Sequence, residues 1–169
     1  GAGRAGGSSL QVLDLVEQQG KFYGCASTIS EPPRVYLPGG DDPFAMAVVQ
    51  LAAWDGEMWG LDADSAGNLI VAGVNQQTNQ GAVFSNIGDP YDNSSWVELD
   101  VSTVVGDSVT TWMRGGCRNG ARLLAVGEYS QTENPLALFS NDSGGTWTDI
   151  TADLAGSPAA LHRCKIFDD

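Results

Sequence analysis

Apolar residues in this chain come in short runs closed off by Gly, Asn, Asp, Ser or Pro, and nowhere at the 3.6-residue period of an amphipathic helix. Such punctuation predicts short β-strands joined by tight loops. In chain order the runs are 11–16, 21–26, 34–37 and 44–51, then 57–61, 67–73, 82–86 and 96–99, then 111–114, 120–127, 137–141 and 147–150, with a last run at 159–167. Two of them, Leu69-Ile70-Val71-Ala72 and Leu123-Leu124-Ala125-Val126, are apolar at consecutive positions, so both faces of those strands must be covered.

The runs repeat at a spacing of about 53 residues. Glu57-Met58-Trp59-Gly60-Leu61 answers to Thr111-Trp112-Met113-Arg114, Gly67 to Gly73 answers to Gly120 to Gly127, Ala82-Val83-Phe84-Ser85-Asn86 answers to Ala137-Leu138-Phe139-Ser140-Asn141, and Trp96 to Leu99 answers to Trp147 to Ile150. Each unit is a four-stranded antiparallel meander, the form of one β-propeller blade. The expected fold is therefore all-β, with blades at about 10–51, 54–101 and 108–152 and a single further strand at 159–167, behind a Gly-rich leader at 1–9 that is flexible by composition. Trp59, Trp112, Trp96, Trp147, Phe84 and Phe139 recur along the repeat and are expected to pack between blades. A closed propeller needs four or more blades, so three blades and a strand are expected to be part of a larger ring, to be completed by further copies as a homo-oligomer, or to form a compact variant that departs from the propeller template.

Composition narrows the partners. Asp and Glu number 21 against 8 Lys and Arg, a net charge of −13, which repels phosphate backbones and anionic lipid surfaces. Nucleic acid is thus an unsuitable partner, and no apolar run is long enough for membrane insertion by a helix. High acidity keeps a secreted or extracytoplasmic protein in solution, the location expected here. Cys25, Cys117 and Cys164 contain no Cys-x-x-Cys pair, which argues against zinc or redox chemistry. Cys117 and Cys164 lie on first strands of successive units and are the favoured disulfide, with buried free thiols the equal alternative.

The stretch Ser140-Asn141-Asp142-Ser143-Gly144-Gly145-Thr146-Trp147 has the form Ser-x-Asp-x-Gly-x-Thr-Trp. A short polar side chain followed by Gly-Gly supplies a self-bonded turn, and the Trp opens the returning strand with an apolar anchor. The second unit keeps the Ser85-Asn86 start and the Trp96 end around a longer loop, and the first has only Pro38-Gly39-Gly40-Asp41-Asp42-Pro43 in that place. On these residues the chain resembles the Asp-box, or bacterial neuraminidase repeat, β-propeller superfamily. The likeness is good over 58–151 and weak elsewhere. It implies that Ser140, Asp142, Gly144, Thr146 and Trp147 are structural, on a rim remote from the central pocket where ligands bind.

The superfamily includes sialidases, so a sialidase-like glycoside hydrolase is one expectation to weigh. Such a site needs an arginine cluster gripping a carboxylate, a Tyr with a neighbouring Glu, and an Asp acid. Of Arg4, Arg34, Arg114, Arg118, Arg122 and Arg163, only Arg114 and Arg163 fall on first strands, which line a propeller's channel, and they are the candidate ligand-binding residues. Tyr129 and Glu128 are expected just past a strand end, in a loop. No Phe-Arg-Ile-Pro opening is present, so the favoured function is a non-catalytic module binding a protein or glycan or serving as a scaffold. The hydrolase and a self-associating structural unit are the alternatives.

Asp62-Ala63-Asp64-Ser65-Ala66-Gly67-Asn68 imitates the start of a calcium loop but has Ala66 and Gly73 where ligands are required, so a plain turn is expected. Asp89-Pro90-Tyr91-Asp92-Asn93 and Asp41-Asp42 read as solvated acidic turns, and neither metal nor cofactor is expected. His162, the one histidine, has no Gly-x-Ser-x-Gly elbow to work with and reads as a packed or surface residue.

Overall fold

In a computed structural model, residues 11–27, 31–40, 45–154 and 161–166 are described. The described chain is all-β, built as three four-stranded antiparallel sheets with one short helix, α1 (Ser102–Val105). The first sheet contains β1 (Gln11–Gln18), β2 (Lys21–Ser27), β3 (Arg34–Pro38) and β4 (Met46–Gln50). The second contains β5 (Gly56–Ala63), β6 (Leu69–Asn75), β7 (Gln80–Asn86) and β8 (Trp96–Asp100). The third contains β9 (Thr111–Asn119), β10 (Arg122–Tyr129), β11 (Pro135–Ser140) and β12 (Thr148–Asp149). Each is a simple meander, and only the pair Ser27 and Glu57 joins the first sheet to the second. The arrangement is that of a partial propeller, three blade-like sheets stacked face on face.

Two apolar layers hold the stack together. Between the first and second sheets lie Cys25, Val35, Leu37, Met58, Leu69, Val71 and Phe84; between the second and third lie Ile70, Val83, Met113, Leu123, Leu136 and Leu138. The consecutive apolar run on β6 is explained by this division: Leu69 and Val71 enter one layer while Ile70 and Ala72 enter the other. Each fully buried Leu, Ile, Met or Phe contributes roughly 1.5–3 kcal/mol relative to exposure.

The register differs from the repeat read in the sequence. Phe84 pairs with Val71, and the position related to it in the third sheet is Leu138, paired with Ala125, rather than Phe139, paired with Leu124. Side chains alternate between faces along a strand, so this shift of one residue turns Phe139 to the opposite face of β11, away from the layer that holds Leu138. Phe84, Trp96 and Trp147 do pack in or against the interfaces, whereas Trp59 and Trp112 belong to neither layer.

The inner strands show a mismatch of their own. Each carries one bulge, an extra residue with no opposite number on its neighbour: Leu13 in β1, Trp59 in β5 and Arg114 in β9. The bulge re-aims the side chain at that point, so Trp59 and Arg114, not Trp59 and Trp112, are the related positions.

Segment 161–166, the described part of the expected strand 159–167, makes no strand pairing, and 159, 160 and 167 lie outside the described residues. It nevertheless runs against β9. A Cβ on Gly115 would come 2.6 Å from the His162 carbonyl oxygen, just as one on Gly60 would come 2.6 Å from that of Arg114. The segment therefore stands to β9 as β9 stands to β5. No helix among the described residues is long and apolar enough to cross a membrane.

Candidate functional site

β1, β5, β9 and segment 161–166 lie side by side, and between them opens a cleft of about 590 Å³, including the solvent at its mouth. Its wall carries Asp14, Trp59, Asp62, Arg114, Arg163 and Lys165. Arg114 and Arg163, 49 residues apart in the chain, are thus brought to one site, but in different states.

Arg114 is committed. Its Nε and Nη2 donate to Glu128 Oε1 at 3.0 and 2.6 Å, and the carboxylate that receives them is only 7% exposed. The guanidinium also lies over two indole rings, 4.5 Å from the centre of Trp59 and 4.9 Å from that of Trp112. The rings meet edge to face at 6.2 Å, and Trp59 Nε1 donates to Glu57 Oε2 at 2.9 Å. Bulging at Trp59 and Arg114 sets the guanidinium in the corner between the two rings, which no linear spacing announces.

Arg163 is open by contrast. Its side chain is 83% exposed, and Nη2 stands 3.4 Å from Asp14 Oδ1. Asp14 is itself occupied: Oδ2 accepts from the Leu61 N–H at 3.1 Å, tying β1 to β5, and Oδ1 accepts from the Leu15 N–H. Asp62 accepts from the Arg118 N–H at 3.2 Å, and burial raises its pKa against the lowering effect of that bond and of Lys165. Every carboxylate on the cleft wall thus already accepts a hydrogen bond.

Glu128 and Tyr129 are not in a loop, as their sequence position suggested. Pairing of Glu128 with Trp112 and of Tyr129 with Thr111 carries β10 through both residues. Glu128 serves Arg114, and Tyr129 packs beside the second apolar layer.

Arg118 has a role that the sequence did not signal. It is buried and donates to the carbonyls of Gly120, Leu69 and Asn86, with Nε 3.5 Å from Asp64 Oδ2. This clamp ties the third sheet to two strands of the second. Asp64 is consumed by it and by the turn, its carboxylate accepting from the Ala66 and Asn68 N–H groups and from the Asn68 amide, so the calcium-like stretch is a turn. In the loop after β7, Asp89 accepts from the Tyr91 N–H and Asp92 from Ser94, again within the turn. Among the described residues no cluster of His, Cys, Asp and Glu could hold a metal ion; Asp41-Asp42 lies outside them.

Away from the cleft, the 140–147 hairpin is self-bonded. Ser140 Oγ donates to Asp142 Oδ1 at 2.8 Å and accepts from the Gly144 N–H at 2.9 Å. Asp142 accepts from the Thr146 N–H and hydroxyl at 2.8 and 2.7 Å, which lowers its pKa to about 2. Trp147 Nε1 donates back to the Gly144 carbonyl at 3.2 Å. Gly144 is required twice over, by a φ of +93° and because a Cβ there would lie 2.8 Å from Ser85 Oγ. Ser85 also donates to the Ser143 carbonyl, so the hairpin abuts the second sheet.

Cys25, Cys117 and Cys164 are free thiols in this structure. Compared with known proteins, the chain matches no family model and no curated sequence.

Proposed function

We propose that this chain is a non-catalytic binding module of the Asp-box propeller kind, and that the cleft between its inner strands receives a glycan. The reading rests chiefly on the state of Arg114: a guanidinium already bonded to Glu128 and lying against both Trp59 and Trp112 is neutralised as a grip for a substrate carboxylate. Hydrolysis of a glycosidic bond calls for one carboxyl to give a proton and a second group to attack or activate water. Here Asp14 and Asp62 are spent on backbone N–H groups of the stack, which favours structure over proton transfer. What the cleft offers instead is an indole edge, the exposed Arg163 and Lys165, and carboxylate oxygens with acceptor capacity left. An aromatic body beside polar groups of both signs suits a sugar. The Asp-box assignment is supported by the closed bonding from Ser140 to Trp147 and by the repeat.

The test is a glycan panel followed by Trp fluorescence, with a fluorogenic sialoside assayed in parallel. Retention of a glycan, weakened at least tenfold in Trp59→Ala and in Arg163→Ala and without turnover of the sialoside, is the expected result. Turnover abolished by Glu128→Gln would replace this reading with the hydrolase. Failure of the whole panel to bind would transfer the cleft to a protein ligand.

A further inference from the structure

We propose that Cys117 and Cys164 form a disulfide that locks segment 161–166 onto β9, leaving Cys25 as the single unpaired thiol. The geometry runs in two parallel steps. Gly115 and Cys117 share one face of β9, being two residues apart on a strand, and Gly115 is the point of close approach to His162. Two residues further along the segment, Cys164 Sγ donates to the Leu124 carbonyl at 3.4 Å, and Leu124 is the backbone partner of Cys117 across β9 and β10. The Cys164 thiol is thus held beside Cys117. Cys25 is elsewhere, in the layer between the first and second sheets, with its Sγ donating to the Met58 carbonyl at 3.4 Å.

The chemistry is thiol–disulfide exchange with a low-molecular-weight disulfide such as oxidised glutathione. Cys117 is fully buried and Cys164 only partly, so Cys164 reacts first. Its thiolate attacks one sulfur of the oxidant, a mixed disulfide forms and one glutathione leaves. Cys117 then attacks Sγ of Cys164, the second glutathione leaves, and the two protons of the cysteine thiols end on the two glutathiones. Two protein thiols are oxidised and one glutathione disulfide is reduced. The adjoining Cys117 thiol and then burial raise the pKa of Cys164, so exchange accelerates as pH rises. The product fixes one wall of the cleft, since segment 161–166 supplies Arg163 and Lys165 to it. This pairing does not depend on what the cleft binds.

The experiment incubates the folded chain with oxidised glutathione, removes the oxidant, alkylates remaining thiols with iodoacetamide in denaturant, and maps tryptic peptides by mass spectrometry with and without reductant. The expected outcome is loss of two of the three alkylatable thiols. Peptide 115–118 should be linked to peptide 164–165, with Cys25 alkylated. Cys117→Ser should stop the reaction at glutathione-capped Cys164. Three alkylated thiols, a link through Cys25, or a persistent mixed disulfide at Cys164 in the unsubstituted chain would each overturn the proposal.

Discussion

The one-residue register shift between the repeats can be tested directly by three truncations. Phe84 is 1% exposed, with its ring centroid 5.7 Å from that of Trp54, and Leu138 is fully buried in the other layer. Removing either to Ala deletes core volume that rigid neighbouring sheets cannot refill, at a cost of about 3–5 kcal/mol for Phe84 and about 2–5 kcal/mol for Leu138. Phe139 is half-buried on the opposite face of β11, outside both layers, and its loss costs about 1 kcal/mol. With an m-value of roughly 2 kcal/mol per molar urea, the midpoint falls by about 1.5–2.5 M for Phe84→Ala, by about 1–2.5 M for Leu138→Ala and by about 0.5 M for Phe139→Ala. Urea titration followed by far-UV circular dichroism reads all three. If Phe139→Ala were as costly as Phe84→Ala while Leu138→Ala were mild, the register of β10 and β11 argued above would be wrong.

Arg114→Ala strips the partner from a carboxylate that is almost wholly buried. Because Arg114 is itself a quarter exposed, the loss should fall at the low end of the range for broken buried pairs, about 3 kcal/mol or roughly 6–12 °C in Tm, measurable by calorimetry; an unchanged Tm would refute the pairing. The Asp142 carboxyl should titrate near 2 by NMR. Because its folded pKa is depressed, its contribution to stability is complete above the unfolded value of about 3.9 and is lost as pH falls through about 2, and Thr146→Ala should move the midpoint back upward. Gly144→Ala should destabilise by at least about 1 kcal/mol through its positive φ and the contact with Ser85, and should cost more than Gly120→Ala, where φ is +60° but no atom lies within 4 Å of the added Cβ; equal midpoints in urea would contradict this.

What the sequence determined by itself was local. The strands fall where short apolar runs meet turn formers, from β1 at Gln11–Gln18 to β11 at Pro135–Ser140, because strand propensity and turn chemistry act over a few residues. The closed bonding of Ser140, Asp142, Gly144 and Thr146 was likewise legible, since every partner lies within four residues. Arg114 and Arg163, singled out from the repeat, both line the cleft, although the segment that carries Arg163 makes no strand pairing. Only the tertiary structure decided which way the strands face and what they meet. A bulge at Trp59 and another at Arg114 shift the register by one residue, and a shift of one exchanges the two faces of a strand. The corner in which Arg114 meets Trp59 and Trp112, the capture of Glu128, the Arg118 clamp and the approach of Cys164 to Cys117 all join separate stretches of the chain. Their distances are set by the stacking of one sheet on the next, and no window of sequence contains that information.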